Sequence, residues 1–74
     1  MSEYFIYEGG ATVYEIKDGN TLIEHSKSSG AKTKSKEDLK ELQKDIEEGA
    51  VRRVSSVDHG FHVLNQIDFI DSFF

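Results

Sequence analysis

A chain of 74 residues with a net charge of −5 is one domain, close to the size at which a single core only just offsets chain entropy. Without cysteine it has neither a disulfide staple nor a thiolate zinc site, which leaves self-association as the reinforcement open to it and fits a reducing cytoplasm. The acidic balance disfavours non-specific DNA or RNA binding, no segment approaches a membrane span, and the first residues lack the basic and apolar runs of a signal peptide.

Glu3 to Glu8 is aromatic and β-branched, and Gly9-Gly10 makes a two-residue hairpin loop into a second extended run, Ala11 to Lys17. Asp18-Gly19 is a second hairpin signal, followed by Thr21 to Ser26. If both loops hold two residues, parity assigns the faces. One collects Phe5, Tyr7, Thr12, Tyr14, Ile16, Thr21, Ile23 and His25, and is the expected floor for a helix. The other collects Tyr4, Ile6, Glu8, Val13, Glu15, Lys17, Leu22 and Glu24, and is expected to meet water.

Residues 26–34 are small, polar and basic, and read as an exposed connection. The stretch 35–48 is the clearest element. Ser35 is an N-cap, Glu37 and Asp38 suit the first turn, and Gly49 supplies a left-handed stop. Leu39, Leu42 and Ile46 form one narrow apolar stripe, so this helix has a single side to bury. Val51 to Val57 reads as a fourth strand, and Asp58-His59-Gly60 as a turn. The end of the chain admits two readings. Val63, Ile67, Ile70 and Phe74 have the spacing of an amphipathic helix, or Phe61 to Leu64 form a fifth strand and Asn65 caps a short helix.

The expected fold is therefore α+β: one domain over 1–74, an antiparallel β-meander of four to five strands with one amphipathic helix packed on one face, and a short C-terminal helix. Chemistry is sparse. No nucleophile has an activating neighbour, and a chain this small has little surface with which to enclose a substrate, so an enzyme is not expected and no cofactor is called for. Asp58, His59 and His62 are the only metal-like cluster, with His25 as a distant third imidazole; their spacing is poor for one ion. Gly30-Ala31-Lys32-Thr33 fails as a nucleotide loop, because alanine separates Gly and Lys and the earlier glycine is missing. Lys32, Lys34 and Lys36, in the basic loop 27–36, could still hold an anion at the helix N-terminus, with Arg52 and Arg53 as a second basic island. Arg52-Arg53-Val54-Ser55 has the order of a basophilic kinase site but reads more simply as a charged strand edge.

The expected function is a small acidic protein-interaction module, an adaptor or inhibitor of a larger protein, self-associating as a homodimer. Its expected contact residues are the apolar and aromatic ones that a monomer would leave exposed: Tyr4, Ile6, Phe69, Phe73 and Phe74.

Overall fold

The computed structural model describes residues 1–71, with side chains through Gln66. In chain order the elements are β1 (Ser2–Ile6), β2 (Thr12–Lys17), β3 (Thr21–Ser26), β4 (Gly30–Thr33), α1 (Lys36–Glu48), β5 (Arg52–Val54) and α2 (Val57–Asp71). The strands form one antiparallel sheet in the order β4-β3-β2-β1-β5. The α+β class and the meander are as the sequence implies.

The element α1 is built as its sequence dictates. Ser35 Oγ accepts from Asp38 N at 3.2 Å, and Gly49 ends the helix at φ 75°, its N–H donating to Ile46 O at 3.2 Å. A helix of 13 residues is about 20 Å long, close to the roughly 19 Å between the outer strands of a five-stranded sheet. It can therefore carry the chain from β4 at one edge to β5 at the other. Leu39 and Leu42 pack on Phe5, Ile16 and Leu22, with Tyr7, Tyr14, Ile46 and Val51 around them.

Several expectations are corrected. First, Ile23 is not in the floor beneath α1; Leu22 is. Lys17 pairs with Thr21, so the β2–β3 connection holds Asp18, Gly19 and Asn20, three residues instead of two. Asp18 and Gly19 both take left-handed conformations, φ 54° and 76°, and Asn20 N donates to Lys17 O. One extra residue inverts every β3 side chain.

Second, the face expected to meet water is covered by α2. Ile6 and Val13 have no exposed surface, and with Val54, Val63 and Leu64 they form a second core, flanked by Tyr4, Val57 and Phe61. Burying each such side chain contributes roughly 2 kcal/mol, so a helix here stabilises far more than hydration of Ile6 and Val13 would. The C-terminal helix therefore does not share the core of α1. Helices close both faces of the sheet.

Third, Asp58-His59-Gly60 is no turn, and Phe61 to Leu64 no strand. Ser56 Oγ accepts from His59 N at 3.0 Å, and Gly60 N donates to Ser56 O at 2.9 Å, so these residues are the first turns of α2. Fourth, part of the supposed connection 26–34 is a strand. Gly30 to Thr33 pair with Ser26 to Ile23, and Lys34 N extends the ladder to Leu22 O at 2.8 Å. The expected strand Val51 to Val57 shrinks to Arg52–Val54, paired with β1.

Candidate functional site

A hollow lies between α1 and the sheet. Tyr7, Tyr14, Leu22 and Leu42 form its floor, and Glu24, Lys34, Asp38 and Glu41 its rim, around a volume of about 210 Å³. The tyrosine rings meet edge to face, 5.8 Å apart at 88°. Tyr7 donates its hydroxyl proton to Asp45 Oδ2. Burial, then the Asp45 hydrogen bond and charge, push the Tyr7 phenol up to about 12. The hollow is below the roughly 300 Å³ at which ligand pockets begin. A bay of about 440 Å³ bordered by Glu3, Ile16, Gly19, Gln43, Ile46 and Glu47 is larger but opens widely to solvent.

A polar network on the α2 side was not legible in the sequence. Glu15 on β2 accepts from Ser2 Oγ through Oε2, and His25 Nε2 on β3 lies 2.8 Å from Oε1. Glu15 and His25 side chains are 13% and 20% exposed, so the contact is sheltered from bulk water. The Ser2 hydrogen bond is the largest influence on Glu15 and lowers its carboxyl below the usual range; burial opposes it, and the hydrogen bond and charge of His25 assist. The carboxylate stands between hydroxyl and imidazole. The group that accepts from the Ser2 hydroxyl is thus a carboxylate whose proton affinity is lowered, too weak a base to activate the hydroxyl as a nucleophile. The two-residue loop expected after Lys17 hid this network by assigning Glu15 and His25 to opposite faces.

The expected site residues are dispersed. Asp58, His59 and His62 are exposed on α2, where His59 Nδ1 accepts from Ser55 N at 3.2 Å and lies 2.9 Å from Ser55 Oγ. Among the described residues no three His, Asp or Glu side chains gather closely enough to share a metal ion. The basic residues do not form one patch either. Lys32 is on β4 at one edge of the sheet, while Arg52 and Arg53 are on β5 at the other. Lys34 Nζ lies 3.9 Å from Glu24, Lys36 Nζ donates to Asn20 O, and Arg53 is 3.2 Å from Glu3.

Of the expected contact residues, Ile6 is enclosed beneath α2 and Tyr4 is half-buried beside it, so the exposure on which that expectation rested is absent for Ile6 and reduced for Tyr4. Phe69 falls within α2, but its side chain, together with Phe73 and Phe74, lies outside the described residues.

What the described surface does offer is an open sheet edge. All four residues of β4 are exposed. Hydrogen-bonded pairs alternate along an antiparallel ladder. The Lys34 to Leu22 bond thus makes Lys32 and Gly30 the inward-bonded positions, and the N–H and C=O groups of Ala31 and Thr33 point away from the sheet. Among the described residues no helix is long and apolar enough to cross a membrane. No protein-family model matches the chain, and neither the curated proteins nor the solved structures contain a significant match to it.

Proposed function

We propose that the chain is a non-catalytic protein-interaction module, an adaptor or inhibitor of a larger protein. The observation that supports this reading is β4, an edge strand with every residue exposed and outward-facing main-chain groups at Ala31 and Thr33. Main-chain groups of this kind are met by water or by another strand, and strand addition is a recurrent mode of recognition. Both faces of the sheet are already occupied by helices, so the edges are where its backbone can meet another chain. The cysteine-free composition is compatible with a reducing cytoplasm, which this reading takes as the compartment.

The anion-binding reading draws no comparable support, because Lys34 and Lys36 are engaged within the fold and the two basic segments lie at opposite edges. The test is size-exclusion chromatography of the tagged chain with extract of its native host. A stoichiometric complex with one partner protein is the expected result. Elution of the chain at its own mass, with no partner at any concentration, would refute the reading.

A further inference from the structure

Resting on that reading, we infer that the β4 edge takes up an acidic, extended segment of the partner protein as a sixth strand. The strand order fixes the place: β4 is outermost, and β3 lies on its inner side. Charge fixes the kind of occupant. The outermost stretch carries Lys27, Lys32, Lys34 and Lys36 and no acid, whereas Glu24, Asp38 and Glu41 lie around the α1 hollow. Lys32 stands opposite Glu24, which Lys34 also approaches, so a single carboxylate on β3 answers two lysines of the edge.

The alternation of β4 specifies the pattern of the incoming strand. Lys32 lies on the α1 side of the sheet, opposite Glu24, while Ala31 and Thr33 lie on the α2 side, opposite His25 and Ile23. A sixth strand with acids at every second residue sets them beside the lysines and sets its intervening residues beside Ala31 and Thr33. Those two side chains are small enough to leave room for valine or isoleucine. A second copy of this chain is the wrong occupant. Pairing β4 with β4 brings Lys32 and Lys34 close to their own counterparts, and pairing it with β5 brings them to Arg52 and Arg53; like charges across strands repel. The same lysines that select an acidic strand therefore keep identical edges apart.

The probe is a short synthetic peptide alternating Glu and Val, with a Lys and Val counterpart, titrated into the intact chain while amide signals are followed by NMR. The acidic peptide is expected to bind, to slow hydrogen exchange at Ala31 and Thr33, and to weaken as salt is raised. Lys32→Glu, at the exposed edge, should weaken it by up to about tenfold and favour the basic peptide instead. Thr33→Pro should block both peptides, since it removes an outward N–H without touching the β3–β4 ladder. Failure of the acidic peptide to bind, equal binding of both peptides, or binding that leaves Ala31 and Thr33 unprotected would each overturn the inference. A host complex that forms equally well with Thr33→Pro would overturn the edge assignment while leaving the interaction reading intact; no host complex at all would overturn the interaction reading itself.

Discussion

Tyr7, just beyond the end of β1, donates its hydroxyl proton to Asp45 near the end of α1 and so ties the helix to the sheet at the end away from its N-cap. Tyr7→Phe removes that bond while keeping the ring against Tyr14. The expected loss is about 1 kcal/mol, read as a lower denaturation midpoint at neutral pH. Alkaline pH provides a second readout. The phenol is raised from 10.0 to about 12 in the folded protein, so between those values the native state holds a proton that the unfolded state releases. The stabilisation is whole below pH 10 and is lost as pH rises through about 12. The difference in stability between wild type and Tyr7→Phe should shrink across that window. A difference that stays constant to pH 12 would contradict the assignment.

On the opposite face, Glu15 behaves with the reverse sign. Its carboxyl is lowered in the folded state, chiefly by the Ser2 hydroxyl, so its contribution is present above the ordinary value of 4.5 and is lost as pH falls through the lowered one. Ser2→Ala takes away the largest cause. The variant should lose about 1 kcal/mol at pH 7 and begin acid unfolding at a higher pH than wild type. Adding Glu15→Gln to either protein should abolish the difference in acid response. Thermal melts at stepped pH would check both points.

How much of this was legible in the sequence depends on how local each signal is. Ser35, Glu37, Asp38 and Gly49 specify α1 within its own residues, and its limits follow. The β1–β2 register was legible too, since Phe5 pairs with Tyr14 as expected, although the turn itself forms over Glu8-Gly9 and not Gly9-Gly10, with Gly10 N donating to Tyr7 O. The position of Leu22 was not, since it turns on whether Asn20 belongs to the loop or to β3. The β4 strand escaped notice because Gly, Ala and Lys have weak strand preference and both of its faces are exposed, so no alternation of apolar and polar residues marks it. Within the candidate edge the lysines were visible, but only the sheet order showed that Lys32 and Arg52 lie on opposite sides of the molecule.

That dependence on Asn20 yields a direct test. Deleting Asn20 leaves a two-residue Asp18-Gly19 loop, and Asp18 and Gly19 already have the left-handed conformations that such a loop needs. Lys17 stays opposite Thr21, so Leu22 keeps its place beneath α1 and His25 stays beside Glu15. What the deletion removes is exposed: the Lys36 bond to Asn20 O and the Asn20 bond to Lys17 O. The deletion should change stability by less than about 1 kcal/mol and leave the melting temperature close to that of wild type. A loss of about 2 kcal/mol or more would mean that the place of Leu22 depends on Asn20 itself and not on the pairing of Lys17 with Thr21.

Gly60 looks like a turn residue in the sequence, yet it lies in the first turns of α2 and is there because the helix crosses the sheet in close contact. A Cβ added at this position would meet Val13 Cγ2 at 2.6 Å, Val13 Cγ1 at 3.1 Å and Val54 Cγ2 at 3.2 Å. Val13 has no exposed surface and cannot swing into solvent, so the helix must lift or the valine must leave its rotamer. Alanine is the better helix former by about 1 kcal/mol, whereas overpacking a core costs roughly 1–3 kcal/mol. Gly60→Ala should therefore lower stability by up to about 2 kcal/mol in spite of its helix preference. Val13→Ala alone should also destabilise, by leaving a cavity of two methyl groups, yet the double variant should be more stable than the sum of the two losses predicts, because the new methyl occupies that space. Chemical denaturation of the four proteins in this cycle measures the coupling. A coupling of zero would mean that α2 does not rest on Val13, and would remove the contact that fixes the helix over the second core.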